Sequence, residues 1–135
     1  MHVYEVKSYF GWEGDEGLGE RLIQQILAGA KTATCSFKIE YTPEELDALL
    51  ATRGEMATVM DKDGNPRCNI RVKDVFETTF GNPDRHLIGG EGYGEDVARF
   101  QADHAEVWRK TLGDVPLTAD TPLMVELFEL VEVPV

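Results

Sequence analysis

An amine and a hydroxyl three residues apart mark the most reactive stretch of this chain: Lys31 and Thr34, within Gly29-Ala30-Lys31-Thr32-Ala33-Thr34-Cys35-Ser36. A lysine amine can serve as a base, and a threonine hydroxyl beside it as a nucleophile. In an extended segment, side chains alternate between faces, which sends Lys31 and Thr34 to opposite sides. They converge only if the chain turns or bulges, and a segment leaving a helix after Gly29 can do that. On spacing alone, a solvated Lys beside a strand Thr is the commoner outcome. A lysine at a helix exit is expected to contribute little to stability.

The second candidate is Glu91, set in Gly89-Gly90-Glu91-Gly92-Tyr93-Gly94. Glycines let a backbone approach a ligand closely, so a carboxylate among them can enter a cleft. The plainer reading is a mobile acidic loop. The run lacks the strand–helix setting of a dinucleotide fingerprint, and there is no phosphate-binding lysine loop. His2, His86 and His104 are far apart, so neither a metal ligand set nor a cofactor site is expected. His104 falls on an apolar helical face, where a core or interface histidine is the usual finding. Cys35 near Lys31 has the makings of a nucleophile, yet a free Cys is more often a small buried hydrophobe.

These residues need elements to hold them. Apolar residues at 18, 22, 23, 26 and 27 predict a helix over 18–28, stopped by Gly29. A strand follows from Lys31 or Thr32 to about Phe37. Thr42-Pro43-Glu44-Glu45 is a capping box with Pro in the first turn, so a short helix starts there. Met56 to Met60 reads as a strand, 61–66 as a hairpin turn, and Arg67 to Lys73 as an alternating strand with Cys68 inward. Val75 to Phe80 extends or restarts it. Residues 81–95 are expected to be a loop. A helix then runs from about Asp96 to Leu112, with Val97, Phe100, His104, Val107 and Trp108 on one face. The segment Leu123 to Val133 is expected to be a strand with a bulge, although acids at 126, 129 and 132 hint at helix. Near the N-terminus, Val3, Tyr4 and Val6 suit a short strand, and 11–17 a glycine-rich acidic loop. Strands joined by short turns point to an α+β domain, a mainly antiparallel sheet or small barrel with helices on it.

With 135 residues, one domain over 1–135 is expected, large enough to need no disulfide or metal staple. Thirteen basic residues stand against 25 acidic ones, a net charge of −12 that repels phosphate backbones. Tight generic RNA binding is therefore disfavoured, whereas a small neutral substrate is not. Two cysteines in no metal spacing, no leader-like start and no long apolar run suggest a reduced, cytoplasmic protein away from membranes.

Three pieces in order resemble a known family. Gly29-x-Lys31-x-x-Thr34 is similar to the glycine–x–lysine–x–x–threonine signature of the ASCH domain. Glu91-Gly92-Tyr93-Gly94-Glu95, followed by Phe100, His104 and Trp108, resembles its glutamate–glycine loop and following helix. Val125 to Val131 resembles its closing strand. Phe100 stands where many members have Trp, and Tyr93 interrupts a run usually made of Gly and acids. The resemblance implies a PUA-like fold, a small mixed or antiparallel β-barrel flanked by helices, with a cleft for nucleosides or RNA.

Small bacterial members of the family include N4-acetylcytidine amidohydrolase, whose catalytic Lys, Thr and Glu match Lys31, Thr34 and Glu91. Gly29, Ser36, Tyr93 and His104, from the same motifs, are the expected substrate contacts. The implied activity is hydrolysis of an N4-acyl amide on a cytosine nucleoside. The alternatives are an RNA-binding module without catalysis, or a ribonuclease, for which no histidine pair or acidic metal cluster speaks. Lys31 as base must be neutral, while a free lysine has a pKa of about 10.4. A dry cleft would have to favour the neutral form, with Glu91 sharing the proton as a coupled pair.

Overall fold

The computed structural model describes residues 1–113 and 117–134, with side chains at 110–112 left aside. Five strands form a single mixed sheet: β1 (Lys7–Tyr9), β2 (Ala33–Phe37), β3 (Met56–Met60), β4 (Pro66–Thr79) and β5 (Pro122–Glu132). Their order is β1-β3-β4-β5-β2. β1 runs parallel to β3, and the other three pairings are antiparallel. The α+β architecture is the expected one, but the ladder stays open: β1 and β2 form its two edges and do not pair.

Four helices cover this sheet: α1 (Leu18–Leu27), α2 (Pro43–Leu50), α3 (Arg85–Gly90) and α4 (Val97–Leu112). One core gathers Ile23 and Ile26 of α1 with Val59, Cys68, Ile70, Val75 and Phe128 of the sheet. A second gathers Leu87 and Ile88 of α3 and Phe100 of α4 with Ala33, Phe37 and Val125. α1 and α4 thus anchor through the apolar faces that their sequence periodicity displays.

α1 ends as its sequence requires. Gly29 has φ +78°, a conformation that glycine alone adopts at little cost. The amide of Gly29 donates to Ile26 O and that of Ala30 to Gln25 O, the paired bonds of a Schellman ending. α2 starts with the expected capping box: Glu45 N–H donates to Thr42 Oγ1, and Thr42 N–H to Glu45 Oε1.

Several boundaries differ from the sequence reading. The first strand is Lys7–Tyr9, not the Val3–Val6 region. Three bonds to Asp15, from the amides of Trp12, Gly17 and Gly19, tie down the acidic loop. The loop expected over 81–95 contains α3, capped by Asp84, which accepts from His86 N–H at 2.8 Å. β4 is one strand through 74, bulged between Val72 and Asp74. β5 is the expected bulged strand: its register with β4 shifts where Asn69 opposes Glu132 and Ile70 opposes Leu130, leaving Val131 as the extra residue. Among the described residues, no helix is long and apolar enough to cross a membrane.

Candidate active site

β2 is an edge strand, and its ladder to β5 decides which way its backbone points. Phe128 N–H donates to Thr32 O. In an antiparallel ladder the hydrogen-bonded pairs then recur at Thr34 and Ser36, so Ala33, Cys35 and Phe37 aim their peptide groups at the open edge. That edge borders a cleft of about 1170 Å³ lying between β2, α4 and the segment after β1. A volume of this order accepts a nucleoside-sized ligand.

Lys31 turns into this cleft by bonding to that edge. Its Nζ donates to Ala33 O at 2.6 Å and to Glu91 Oε1 at 3.2 Å. Lys31 is 2% exposed, and the Glu91 side chain 8%. The expectation of a solvated lysine is therefore wrong. The Schellman turn reverses the chain, and the ammonium folds back over the first β2 residue instead of extending into water.

Glu91 reaches Lys31 because α3 lies almost in contact with β2. Thr32 N–H donates to Gly90 O at 2.7 Å. A Cβ on Gly90 would sit 2.5 Å from Ala33 Cβ, so only glycine permits this approach. The next residue is Glu91, whose carboxylate meets three groups. Lys31 and His104 Nε2 are on Oε1, the latter at 3.3 Å, and Cys35 Sγ is 3.6 Å from Oε2. Burial raises the Glu91 carboxyl pKa, but the His104 hydrogen bond and the charges of Lys31 and His104 outweigh it, and the net shift is downward. The carboxylate therefore rests ionised.

Cys35 is a different case. Burial pushes its thiol well up, with the Glu91 charge adding and Lys31 opposing, so it rests as a thiol and not as the nucleophilic thiolate. Cys35, Glu91 and His104 present ligand atoms within 4.8 Å of one another. No sequence spacing displays this set, because β2, the end of α3 and the middle of α4 supply one residue each.

Thr34, Ser36, Tyr93 and His104 all line the cleft. Ser36 Oγ is 2.7 Å from Tyr41 OH, and Tyr93 OH donates to Asp103 at 2.9 Å. Gly29 is exposed and lines nothing: its part is the turn that delivers Lys31. His104 is neither purely core nor surface, since its ring rests on Phe100 with centroids 4.1 Å apart while Nε2 faces Glu91. One residue escaped the sequence reading. Glu126 lies directly across from Thr34 in the β2–β5 ladder, so the two side chains share a face. Burial raises its carboxyl pKa and Lys31 opposes this. Three acids, at 126, 129 and 132, punctuate the apolar strand, and only the β2–β5 register singles out the first.

The sequence matches the model of the ASCH domain over residues 8–132. The chain belongs to the ASCH domain family. A crystal structure of an ASCH domain from Lactobacillus crispatus has TM-score 0.72 and 26% identity, covering 96% of this ASCH chain and 82% of its own. A crystal structure of a protein from Enterococcus faecalis shares the fold with TM-score 0.76 at 22% identity, covering 98% of this chain and 80% of its own. No curated protein matches the sequence. In this ASCH domain the signature lysine and the loop glutamate are the two members of one buried pair.

Proposed function

We propose that this ASCH domain hydrolyses the N4-acyl amide of an acylated cytosine nucleoside, with Lys31, Thr34 and Glu91 as the reacting groups. The observation that carries the reading is the Lys31–Glu91 pair, nearly dry at 3.2 Å on the wall of a cleft that Thr34 also lines. A buried ion pair is seldom more stabilising than an apolar pair of the same shape. Its position on the wall of a ligand-sized cleft that a threonine also lines favours a chemical role.

The proton inventory then works as follows. When substrate fills the cleft, water leaves, and drying favours the neutral form of the pair. The proton passes from Lys31 to Glu91, leaving a free amine and a carboxylic acid. Lys31 takes the proton of Thr34 Oγ as that oxygen attacks the acyl carbonyl, and Glu91 gives its proton to the departing N4 nitrogen. The Cys35 N–H, aimed at the open edge of β2, is the donor for the developing oxyanion. Water then hydrolyses the acyl-Thr34 by the reverse sequence. The net charge of −12 favours a neutral nucleoside over an RNA strand.

Incubation with N4-acetylcytidine while following cytidine release tests the reading. Glu91→Gln should lower turnover by about 10²–10⁴, while Glu95→Gln, an exposed acid of the same loop, should stay near wild type. Absence of turnover across a series of small acyl groups, or equal small effects at both acids, would replace the hydrolase with a binding module that reads a base or phosphate.

A further inference from the structure

The hydrolytic scheme leaves the Cys35 thiol and the His104 imidazole without a chemical task, although both side chains contact Glu91. Their contacts with it have the lengths that ligands of one shared metal show, one on each carboxylate oxygen. With zinc bonds of about 2.3 Å to sulfur and about 2.0–2.1 Å to nitrogen or oxygen, a tetrahedron has an S–O edge of about 3.5 Å and an N–O edge of about 3.3 Å. Cys35 Sγ is 3.6 Å from Glu91 Oε2, and His104 Nε2 is 3.3 Å from Glu91 Oε1. All three ligand atoms lie within 4.8 Å of one another, and no second such group exists among the described residues.

The histidine is also turned the right way. His104 Nδ1 is 2.8 Å from Phe100 O, a contact that places the N–H on Nδ1. In the neutral ring Nε2 then carries a lone pair toward the Glu91 carboxylate. Two lone pairs this close are stable only around a shared cation, a proton or a metal ion. A backbone carbonyl on the far nitrogen is the outer partner that metal-bound histidines characteristically have. Lys31 does not compete for the whole carboxylate: its ammonium is held on Oε1 and on Ala33 O. Oε2, the oxygen facing Cys35, remains, while His104 Nε2 faces Oε1 from the other side.

We propose that Cys35, Glu91 and His104 bind a thiophilic divalent cation of the zinc class, with a fourth position open to the cleft. Sulfur, imidazole and carboxylate together suit zinc, whereas magnesium and calcium require all-oxygen sets. On binding, the Cys35 thiol gives its proton to the buffer and the sulfur–metal bond forms. The consequence for catalysis rests on the reading above: a metal on Glu91 withdraws that carboxylate from proton exchange with Lys31 and inhibits hydrolysis.

Cobalt(II) titration of the full untagged chain tests the site without any substrate. The expected result is saturation at a single cobalt per chain, with a sulfur-to-cobalt charge-transfer band in the near ultraviolet and the strong visible bands of four-coordinate cobalt, all displaced by zinc. Cys35→Ser should remove the charge-transfer band. His104→Ala should weaken binding by more than about 10-fold, the loss that even an outer-shell partner produces. Thermal melting of both variants establishes that they fold, and His104→Gln serves if the alanine variant does not. Non-saturable binding, six-coordinate spectra, or unchanged affinity in folded variants would overturn the site. A charge-transfer band that survives in Cys35→Ser would also overturn it, by pointing to Cys68. Because the readout is spectroscopic, failure of the hydrolase reading leaves this result standing, and the reverse.

Discussion

Lys31→Met isolates what the buried pair does to the fold. Methionine keeps most of the side-chain volume and removes the charge. Two groups are then stranded: the Ala33 carbonyl, which receives Nζ at 2.6 Å, and the Glu91 carboxylate, whose side chain is 8% exposed. An orphaned buried carbonyl costs about 1–3 kcal/mol. Breaking a buried ion pair from one side costs about 3–5 kcal/mol. The two penalties overlap, and His104 still faces Glu91 at 3.3 Å, so the expected loss is near the lower end, about 3 kcal/mol. For a domain of 135 residues that lowers Tm by roughly 10 °C. Glu91→Gln alone should also destabilise, by leaving the ammonium without its counter-charge. The double variant removes both charges and should recover a coupling energy of about 1–3 kcal/mol. Urea unfolding of the four proteins, read from midpoints at constant m, supplies the cycle. A loss below about 1 kcal/mol for Lys31→Met, or a coupling within about 0.5 kcal/mol of zero, would show that the pair is not held dry and would remove the argument built on it.

Gly90→Ala forces a methyl to within 2.5 Å of Ala33 Cβ; it should cost about 1–3 kcal/mol in urea unfolding and depress turnover by moving Glu91, and a neutral result would show that α3 is not pinned to β2. The Glu20 carboxyl is lowered from 4.5 to about 2, chiefly by its hydrogen bond from Arg67. Because this pKa is depressed in the folded state, the contact's stability is present above about 4.5 and drains away as pH falls toward about 2; Arg67→Ala should flatten the Tm profile in that window, and an unchanged profile would discount the contact. Binding of generic single-stranded RNA should be weak and fall steeply with salt, and submicromolar affinity insensitive to salt, measured by fluorescence anisotropy, would overturn the preference for a small substrate.

Local signals served the elements that carry their own punctuation. Gly29, Thr42 with Glu45, and the 61–66 turn each state a boundary in two or three residues, and α1, α2 and the β3–β4 hairpin follow them. α3 has no such voice: six residues ending in Gly-Gly show no period and little helix propensity. It exists because Leu87 and Ile88 are buried in the second core. The site divides along the same line. Lys31 and Thr34 are visible as a motif, and Glu91 as an acid among glycines. The burial of Lys31 is not visible, since it follows from a bond to an edge carbonyl two residues on. Nor is the meeting of Cys35 with His104, or of Thr34 with Glu126, because each pair is joined only by tertiary packing or by the β2–β5 ladder.

The pairing of β2 with β5 also bears on how the chain folds. Ala33 lies opposite Leu127, so the strand that follows Lys31 closes against a strand far along the chain. Long-range pairings of this kind close late, after the chain entropy of the intervening segment has been overcome. Until then Ala33 and Cys35 have no strand to fix them, and the carbonyl that receives Lys31 Nζ is not held in place. A chain in which 122–132 has not yet docked therefore carries Lys31, Thr34 and Glu91 without the β2–β5 ladder that fixes β2.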